Sequence, residues 1–153
     1  MTAAFQLRPY RESDEDASIV LWLETWRQAY PSIDFDARVD WWRERWRTEL
    51  VPLAQIVVAE QDDALIGFVT IDGTGYLDQL VVSSAQWGSS VSRALVDEAK
   101  RLSPGGVTLK VNADNFRAIR FYERNGFAKT GEEVNSSGRA VWVMAWAGAS
   151  RQA

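Results

Sequence analysis

The stretch that decides the fold runs from Val107 to Phe127 and reads VTLKVNADNFRAIRFYERNGF. Its first five residues alternate between apolar and polar side chains, which is the period-two pattern of a half-buried strand. Short Asn and Asp side chains follow, and Asn115 stands where such a side chain caps the start of a helix. Asn125 and Gly126 end that helix, because glycine adopts the left-handed conformation needed just past a helix C-terminus. The stretch therefore predicts a strand, a polar elbow and a short helix.

The helix of this unit carries a motif. Ala118, Phe121 and Tyr122 recur at helical spacing and share one face. From position 111 to 127 the sequence reads V-N-x-x-N-x-x-A-x-x-F-Y-x-x-x-G-F, which resembles the motif that closes the acetyl-CoA site in the GNAT superfamily of N-acetyltransferases. The resemblance implies that Asn115, Ala118, Phe121 and Tyr122 contact the cofactor and that Tyr122 is the general acid. A lone Phe-Tyr pair more often belongs to a core, but here several spaced elements match together.

Composition limits the chemistry. The chain has 153 residues, no Cys and no His. Disulfides and thiolate sites are therefore excluded, and any acid–base step must use carboxylates, Tyr, Lys or water. We predict no metal site. The length predicts one domain, which we place at residues 2–147 with a short C-terminal tail at 148–153.

Charge and hydropathy bear on partners. The net charge of −4 argues against a nucleic-acid partner. No apolar run is long enough to span a bilayer, and the first residues lack a signal-peptide pattern. We therefore expect a cytoplasmic protein that does not act at a membrane. A homodimer is left open.

The remaining elements follow from periodicity and turn residues. A strand is predicted at Phe5–Arg8, ended by Pro9, and a helix from Ser13 to Tyr30. A second helix is predicted from Asp34 to Leu50, ended by Pro52, with its arginines on solvated faces. Further strands are predicted at Ala54–Glu60, Ala64–Asp72, Tyr76–Val82, Phe127–Val134 and Ala140–Trp146, with a helix at Val91–Leu102.

This order predicts an α+β fold, a three-layer α/β arrangement. A mixed, mostly antiparallel sheet of about seven strands would have helices on both faces. The GNAT fold has the same order of elements, so the resemblance covers nearly the whole chain.

A second motif departs from the family pattern. The segment from Leu80 to Leu95 resembles the loop that binds the pyrophosphate at a helix N-terminus. The family pattern Gln/Arg-x-x-Gly-x-Gly/Ala falls on Trp87, Ser90 and Ser92, and all three positions differ from it. A plain strand-to-helix connection is the alternative interpretation. The resemblance implies a set of cofactor-binding residues: Leu80, Val81, Val82, Trp87, Gly88, Ser89, Ser90, Val91, Ser92 and Arg93.

The sequence gives fewer indications of the site that binds the acceptor amine. Five of the eight Trp residues fall in the first two predicted helices, where most would pack the helices on the sheet. In the GNAT fold the loop between these helices borders the acceptor site, which implies that Trp26 and Tyr30 wall it. An amine arrives protonated and needs a base, for which Asp78 is the first candidate. A carboxylate at a solvated strand end is the alternative interpretation of Asp78, and Asp34, Asp36 and Glu60 are weaker candidates.

Two functions remain open. One is an N-acetyltransferase that transfers acetyl from acetyl-CoA to the primary amine of a small molecule or a peptide by direct attack. The other is a non-catalytic acyl-CoA-binding or sensory module with the same fold. The sequence leaves open the acceptor and whether the acyl group is acetyl or longer.

Overall fold

The computed structural model describes residues 4–87 and 89–149. Seven strands form the sheet: β1 (Gln6–Pro9), β2 (Ala54–Gln61), β3 (Ala64–Asp72), β4 (Tyr76–Val82), β5 (Val107–Asn112), β6 (Ala128–Val134) and β7 (Ala140–Trp146). The helices are α1 (Glu15–Ala29), α2 (Val39–Arg45), α3 (Val51–Leu53), α4 (Ser90–Leu102) and α5 (Phe116–Arg124). The predicted elements are confirmed to within a few residues, although β1 includes Pro9.

The strands lie in the order β1-β2-β3-β4-β5-β7-β6. Every neighbouring pair is antiparallel except β4 and β5. This confirms the predicted mixed, mostly antiparallel sheet. The parallel pair lies in the middle of the sheet, with β1 to β3 on one side of it and β7 and β6 on the other.

Helices cover both faces, as the sequence predicted, because each strand buries alternate side chains on opposite sides. On one face the core includes Leu95 and Val96 of α4 and Ile119 of α5. On the other face α1 and α2 contribute Trp22 and Trp42, whose rings stack with centroids 4.7 Å apart. The site described below lies between these two layers.

The predicted second helix is not a regular α-helix along its whole length. It begins with a 3₁₀ turn at Asp36–Arg38, continues as α2, and widens into a π-helical turn at Trp46–Leu50 before α3. Pro52 was predicted to end this helix; it lies within α3, and the helical segment ends one residue later, at Leu53. Proline lacks the N–H that a regular α-helix requires, so an irregular ladder is expected on its N-terminal side.

Candidate active site

A cleft opens where β4 and β5 separate. The two strands pair only through Tyr76 with Thr108 and Leu77 with Leu109. Beyond these pairs the strands diverge, and a cleft of about 980 Å³ lies between them. Ligand sites in proteins commonly have volumes of about 300–1,000 Å³. The edge of β4 from Asp78 onward therefore faces open space rather than a neighbouring strand.

A β-bulge shapes β4 at the start of the cleft. Val69 pairs with Leu80 and Ile71 with Leu77, so β4 has one residue more than β3 between the two pairs. The N–H of Gln79 donates to the hydroxyl of Thr70, at 3.0 Å, and Thr70 is completely buried. Bulges re-aim the side chains beside them and are frequent next to active sites. Nothing in the period-two pattern of this strand indicates the bulge.

Tyr122 lies on α5 at the wall of the cleft. Its side chain is 8% exposed, and its ring packs edge-on against those of Phe121 and Phe127. Burial raises the pKa of the Tyr122 phenol above its ordinary value. Within residues 4–87 and 89–149 its hydroxyl has no hydrogen-bond partner. A neutral, unpartnered phenol is therefore available to a group in the cleft.

Phe121 lines the cleft beside Tyr122, and Tyr122 is the more buried of the two. Because α5 is short and lies beside the diverging strands β4 and β5, two adjacent positions of the helix reach the cleft.

Asn115 is the N-terminal cap of α5. Its side-chain oxygen accepts from the N–H of Ala118, at 3.3 Å, and Asn115 also lines the cleft. The capping that the sequence predicted is confirmed. One amide side chain therefore holds the start of α5 at the edge of the cleft.

The loop from β4 to α4 forms the opposite lip. Ser89 caps α4: its hydroxyl accepts from the N–H of Val91, at 3.4 Å, and donates to the carbonyl of Gln86, at 2.6 Å. Val91 is buried in the core and Ser90 is exposed, and neither lines the cleft. Gly88 lies outside the described residues. The predicted cofactor residues that do line the cleft are Leu80, Val81, Val82, Trp87, Ser89, Ser92, Arg93, Asn115, Ala118, Phe121 and Tyr122.

Asp78 lies on the side of the cleft nearest α1 and α2, and its carboxylate is hydrogen-bonded to Arg45. Arg45 Nη1 donates to Asp78 Oδ1 at 2.9 Å, and Arg45 Nη2 donates to Asp78 Oδ2. Gln79 Nε2 donates to Oδ1 as well, also at 2.9 Å. A carboxylate offers about four lone-pair sites, so three are occupied and one remains. The prediction that Arg45 lies on a solvated face was wrong, because its guanidinium reaches the cleft.

Trp26 and Tyr30, both predicted at the acceptor site, are placed differently. Trp26 lines the cleft, whereas Tyr30 stacks on Trp26 and does not line it. The Tyr30 hydroxyl accepts from Asn112 Nδ2 and donates to Asp114 Oδ1, each at 3.0 Å. Tyr30 therefore connects α1 to the end of β5, across the opening between the splayed strands.

The weaker base candidates lie elsewhere. Asp34 accepts from the N–H of Ala37, Asp36 pairs with Arg27, and Glu60 pairs with Arg8. None of the three carboxylates lines the cleft. Several cleft residues were not predicted from the sequence, since only the tertiary structure brings them together: Thr25, Arg45, Lys110, Asn112, Arg117, Arg124 and Asn135.

Residues 4–87 and 89–149 contain no cluster of three acidic side chains that could hold a metal ion. No helix within these ranges is long and apolar enough to cross a membrane.

A sheet split between its central parallel strands, with a capped helix presenting Asn and Tyr to the opening, defines a class of acyl-transferring proteins. The chain belongs to the GNAT acetyltransferase family: the Acetyltransferase (GNAT) domain matches residues 34–147. Among curated proteins it is similar to peptidyl-lysine N-acetyltransferase YjaB of Salmonella typhimurium, at 34% identity over 94 residues. That match covers 60% of this chain and 63% of the Salmonella protein, which is less than two thirds of its length. Peptidyl-lysine N-acetyltransferase YiaC of Escherichia coli is 27% identical over 92% of this chain and 95% of its own.

Solved structures show the same architecture. The solution structure of apo-form YjaB from Escherichia coli matches with a TM-score of 0.76 and 25% identity, covering 95% of this chain and 99% of that one. The PaiA N-acetyltransferase from Thermoplasma acidophilum, solved in complex with coenzyme A, matches with a TM-score of 0.71 at 19% identity. That match covers 93% of this chain and 98% of the other, and it is a likeness of fold.

Proposed function

We propose that this protein transfers acetyl from acetyl-CoA to the side-chain amine of a lysine in a peptide or protein. One observation carries the proposal: the unpartnered hydroxyl of Tyr122 lies at the opening between β4 and β5. The ring of Tyr122 packs among aromatic side chains and the residue lines the cleft, so its hydroxyl is left to a ligand there.

The cleft fits acetyl-CoA. The edge of β4 from Asp78 to Val81 has no strand beside it on the cleft side, so its backbone groups on that side can pair with an extended ligand that carries amides. Ser92 and Arg93, in the first turn of α4, line the lip where backbone N–H groups and the helix dipole favour anions. When bound, acetyl-CoA would supply the activated acetyl thioester.

Different residues of the chain would then have separate roles in the transfer of the acetyl group. The β4 edge orients and polarises the reacting carbonyl through its N–H groups. Tyr122 holds a proton on its hydroxyl and delivers it to the departing sulfur. The core aromatics around Tyr122 exclude water from that side of the cleft. Asn115 holds the start of α5, and with it the position of Tyr122.

We assign Asp78 as the proton acceptor for the incoming ammonium group. Its Oδ2 keeps one lone pair after the contacts with Arg45. Arg45 fixes the orientation of the carboxylate, and the proton would reach Oδ2 directly or through one water molecule.

The lysine acceptor is supported by the relatives of this chain. The curated relatives YjaB and YiaC are named peptidyl-lysine N-acetyltransferases.

A non-catalytic acyl-CoA-binding module is the second candidate. It is favoured by the loop before α4, where Trp87, Ser90 and Ser92 replace the residues of the family pattern.

Turnover separates the two functions. The purified protein would be incubated with acetyl-CoA and a panel of lysine peptides and small amines, and release of free CoA would be followed. We expect acetylation of lysine peptides, verified by mass spectrometry. Binding of acetyl-CoA without any acetylated product across the panel would favour the non-catalytic module.

A further inference from the structure

Arg117 and Trp87 form a stacked pair across the mouth of the cleft. The Arg117 guanidinium carbon lies 3.6 Å from the centroid of the Trp87 ring, and both residues line the cleft. The indole N–H of Trp87 donates to the carbonyl of Val82, at 2.9 Å. The ring is therefore anchored to the end of β4, and it holds a cation that comes from the first turn of α5.

This cation lacks an internal counterion. Among residues 4–87 and 89–149, no carboxylate lies within salt-bridge distance of Arg117, and the same holds for Arg93 and Arg124, which line the same cleft. By contrast, Arg45, which lines the same cleft on the acceptor side, is paired with Asp78. The chain has 21 acidic and 17 basic residues. A shortage of carboxylates therefore does not explain why the arginines on this side are unpaired.

The stacked geometry suits an anion that sits in the cleft. Stacking on an indole ring uses one face of the guanidinium and leaves its N–H donors free in the plane. Those donors match two oxygens of a phosphate in a bidentate contact. Partial burial lowers the pKa of Arg117, and a guanidinium stays charged at neutral pH.

We infer that the Trp87–Arg117 pair is a phosphate clamp, in which Arg117 binds a phosphate group of CoA. This inference rests on the proposed use of acetyl-CoA and adds a binding residue to it. CoA carries phosphate in two places, the diphosphate and the 3′-phosphate on the ribose. The chemistry of the contact is the same for both, and the experiment distinguishes them.

The experiment is calorimetric titration of the full chain with CoA and with dephospho-CoA, which lacks the 3′-phosphate. The variant is Arg117→Ala, and the matched control is Arg120→Ala, which removes the same charge from an exposed position of α5 that does not line the cleft. We expect Arg117→Ala to weaken CoA binding by about tenfold or more, the usual effect of losing a charge-assisted contact. Arg120→Ala should change it less than about threefold, as a screened, distant charge would.

The two ligands identify the phosphate. If the effect of Arg117→Ala disappears with dephospho-CoA, the clamp binds the 3′-phosphate, and if it persists, the clamp binds the diphosphate. Equal effects of the two variants would overturn the inference and leave only a general electrostatic attraction.

Trp87→Leu tests whether the Trp87 ring holds Arg117 in place. Arg117→Ala in the Trp87→Leu background should lose less affinity than in the wild type, because the stacked arginine is no longer held. Additive losses would contradict a joint clamp. Far-ultraviolet circular dichroism and thermal melts of each variant would show that the fold is retained.

Failure of this inference is distinguishable from failure of the proposed function. CoA binding that Arg117→Ala leaves unchanged refutes the clamp alone. Binding that depends on Arg117, without turnover of any amine, supports the clamp and refutes the catalytic proposal. A wild-type protein that binds neither ligand would refute both.

Discussion

Arg45 and Asp78 are 33 residues apart in the chain, and Arg45 Nη1 donates to Asp78 Oδ1 over 2.9 Å. The pair connects the end of α2 to the bulge of β4, at the wall of the cleft. Its side chains are 24% and 16% exposed, so it is stronger than a pair on the open surface. The same carboxylate is the proposed proton acceptor, and its two roles can be separated.

Asp78→Asn keeps the shape of the side chain and removes its basicity, whereas Arg45→Gln keeps the carboxylate and removes its partner. If Asp78 is the base, Asp78→Asn should lower the rate by about 100-fold or more. Arg45→Gln should lower it far less, although both variants lose about 1–2 kcal/mol of unfolding free energy from the broken pair. Steady-state rates and chemical denaturation measure the two effects. Equal losses of rate would leave Asp78 with a positioning role only.

Tyr122→Phe removes one hydroxyl and keeps the ring among Phe121 and Phe127. The rate of the chemical step should fall by about 100-fold or more, the usual effect of losing a general acid. Folding and CoA affinity should change little, because the hydroxyl has no hydrogen-bond partner among the described residues. Single-turnover kinetics would measure the chemical step. An unchanged rate would refute the assignment of Tyr122.

The pH dependence follows from the same residue. Burial raises the pKa of Tyr122, so the neutral phenol persists above the ordinary tyrosine value of 10.0. We therefore expect no loss of rate from deprotonation of Tyr122 as the pH rises from neutral to about 10. A basic limb below pH 10 that is present in the wild type and absent from the residual activity of Tyr122→Phe would contradict the raised pKa of Tyr122, although it would agree with its role as general acid.

Asn115→Ala removes the cap of α5. We expect a loss of about 1 kcal/mol in unfolding free energy. CoA affinity should also fall, because Asn115 lines the cleft and holds the helix that carries the proposed clamp. Asn115→Asp is the control, since aspartate caps a helix as well as asparagine does. It should restore stability, and calorimetry would then show whether the amide itself contacts the ligand.

Thr70→Val tests the bulge of β4. The substitution keeps the volume of a completely buried side chain and removes the acceptor of the Gln79 N–H. An unsatisfied buried donor costs about 1–3 kcal/mol, and thermal or chemical denaturation would measure the loss. Thr70→Ser keeps the hydroxyl and should retain catalytic activity better than Thr70→Val. If both variants were equally active, the bulge would not position the reacting groups.

Local periodicity predicted most of the fold. The alternation in Val107–Val111 and the helical spacing from Ala118 to Tyr122 are properties of neighbouring residues, and the strand and helix formed as expected. The bulge on β4 was missed, because it depends on a hydroxyl of β3 that the sequence of β4 does not contain. The π-helical turn after α2 was missed for a similar reason, since its apolar residues keep their spacing.

The site was only partly predictable. Asn115 and Tyr122 were found because they belong to one continuous motif. Arg45 and Arg117 were not singled out from the sequence. A charged residue on an amphipathic helix gives the same sequence pattern whether it faces solvent or a cleft. The partners of these two arginines, Asp78 and Trp87, are also distant in the chain. Only the packing of α2 and α5 around the opening separates these cases.

Because β4 pairs with β5 through only two residues, the edge of β4 beyond Leu77 has no strand beside it on the cleft side. A ligand with amide groups along its length would occupy the gap as an added strand. It would form the hydrogen bonds with β4 that β5 does not form. Loading the cleft and completing the sheet would then be a single event. A ligand present at 100 times its Kd adds about 2.7 kcal/mol to the unfolding free energy of its host. We therefore expect the supply of acyl-CoA in the cell to govern how long each molecule resists unfolding and proteolysis, as well as how fast it works.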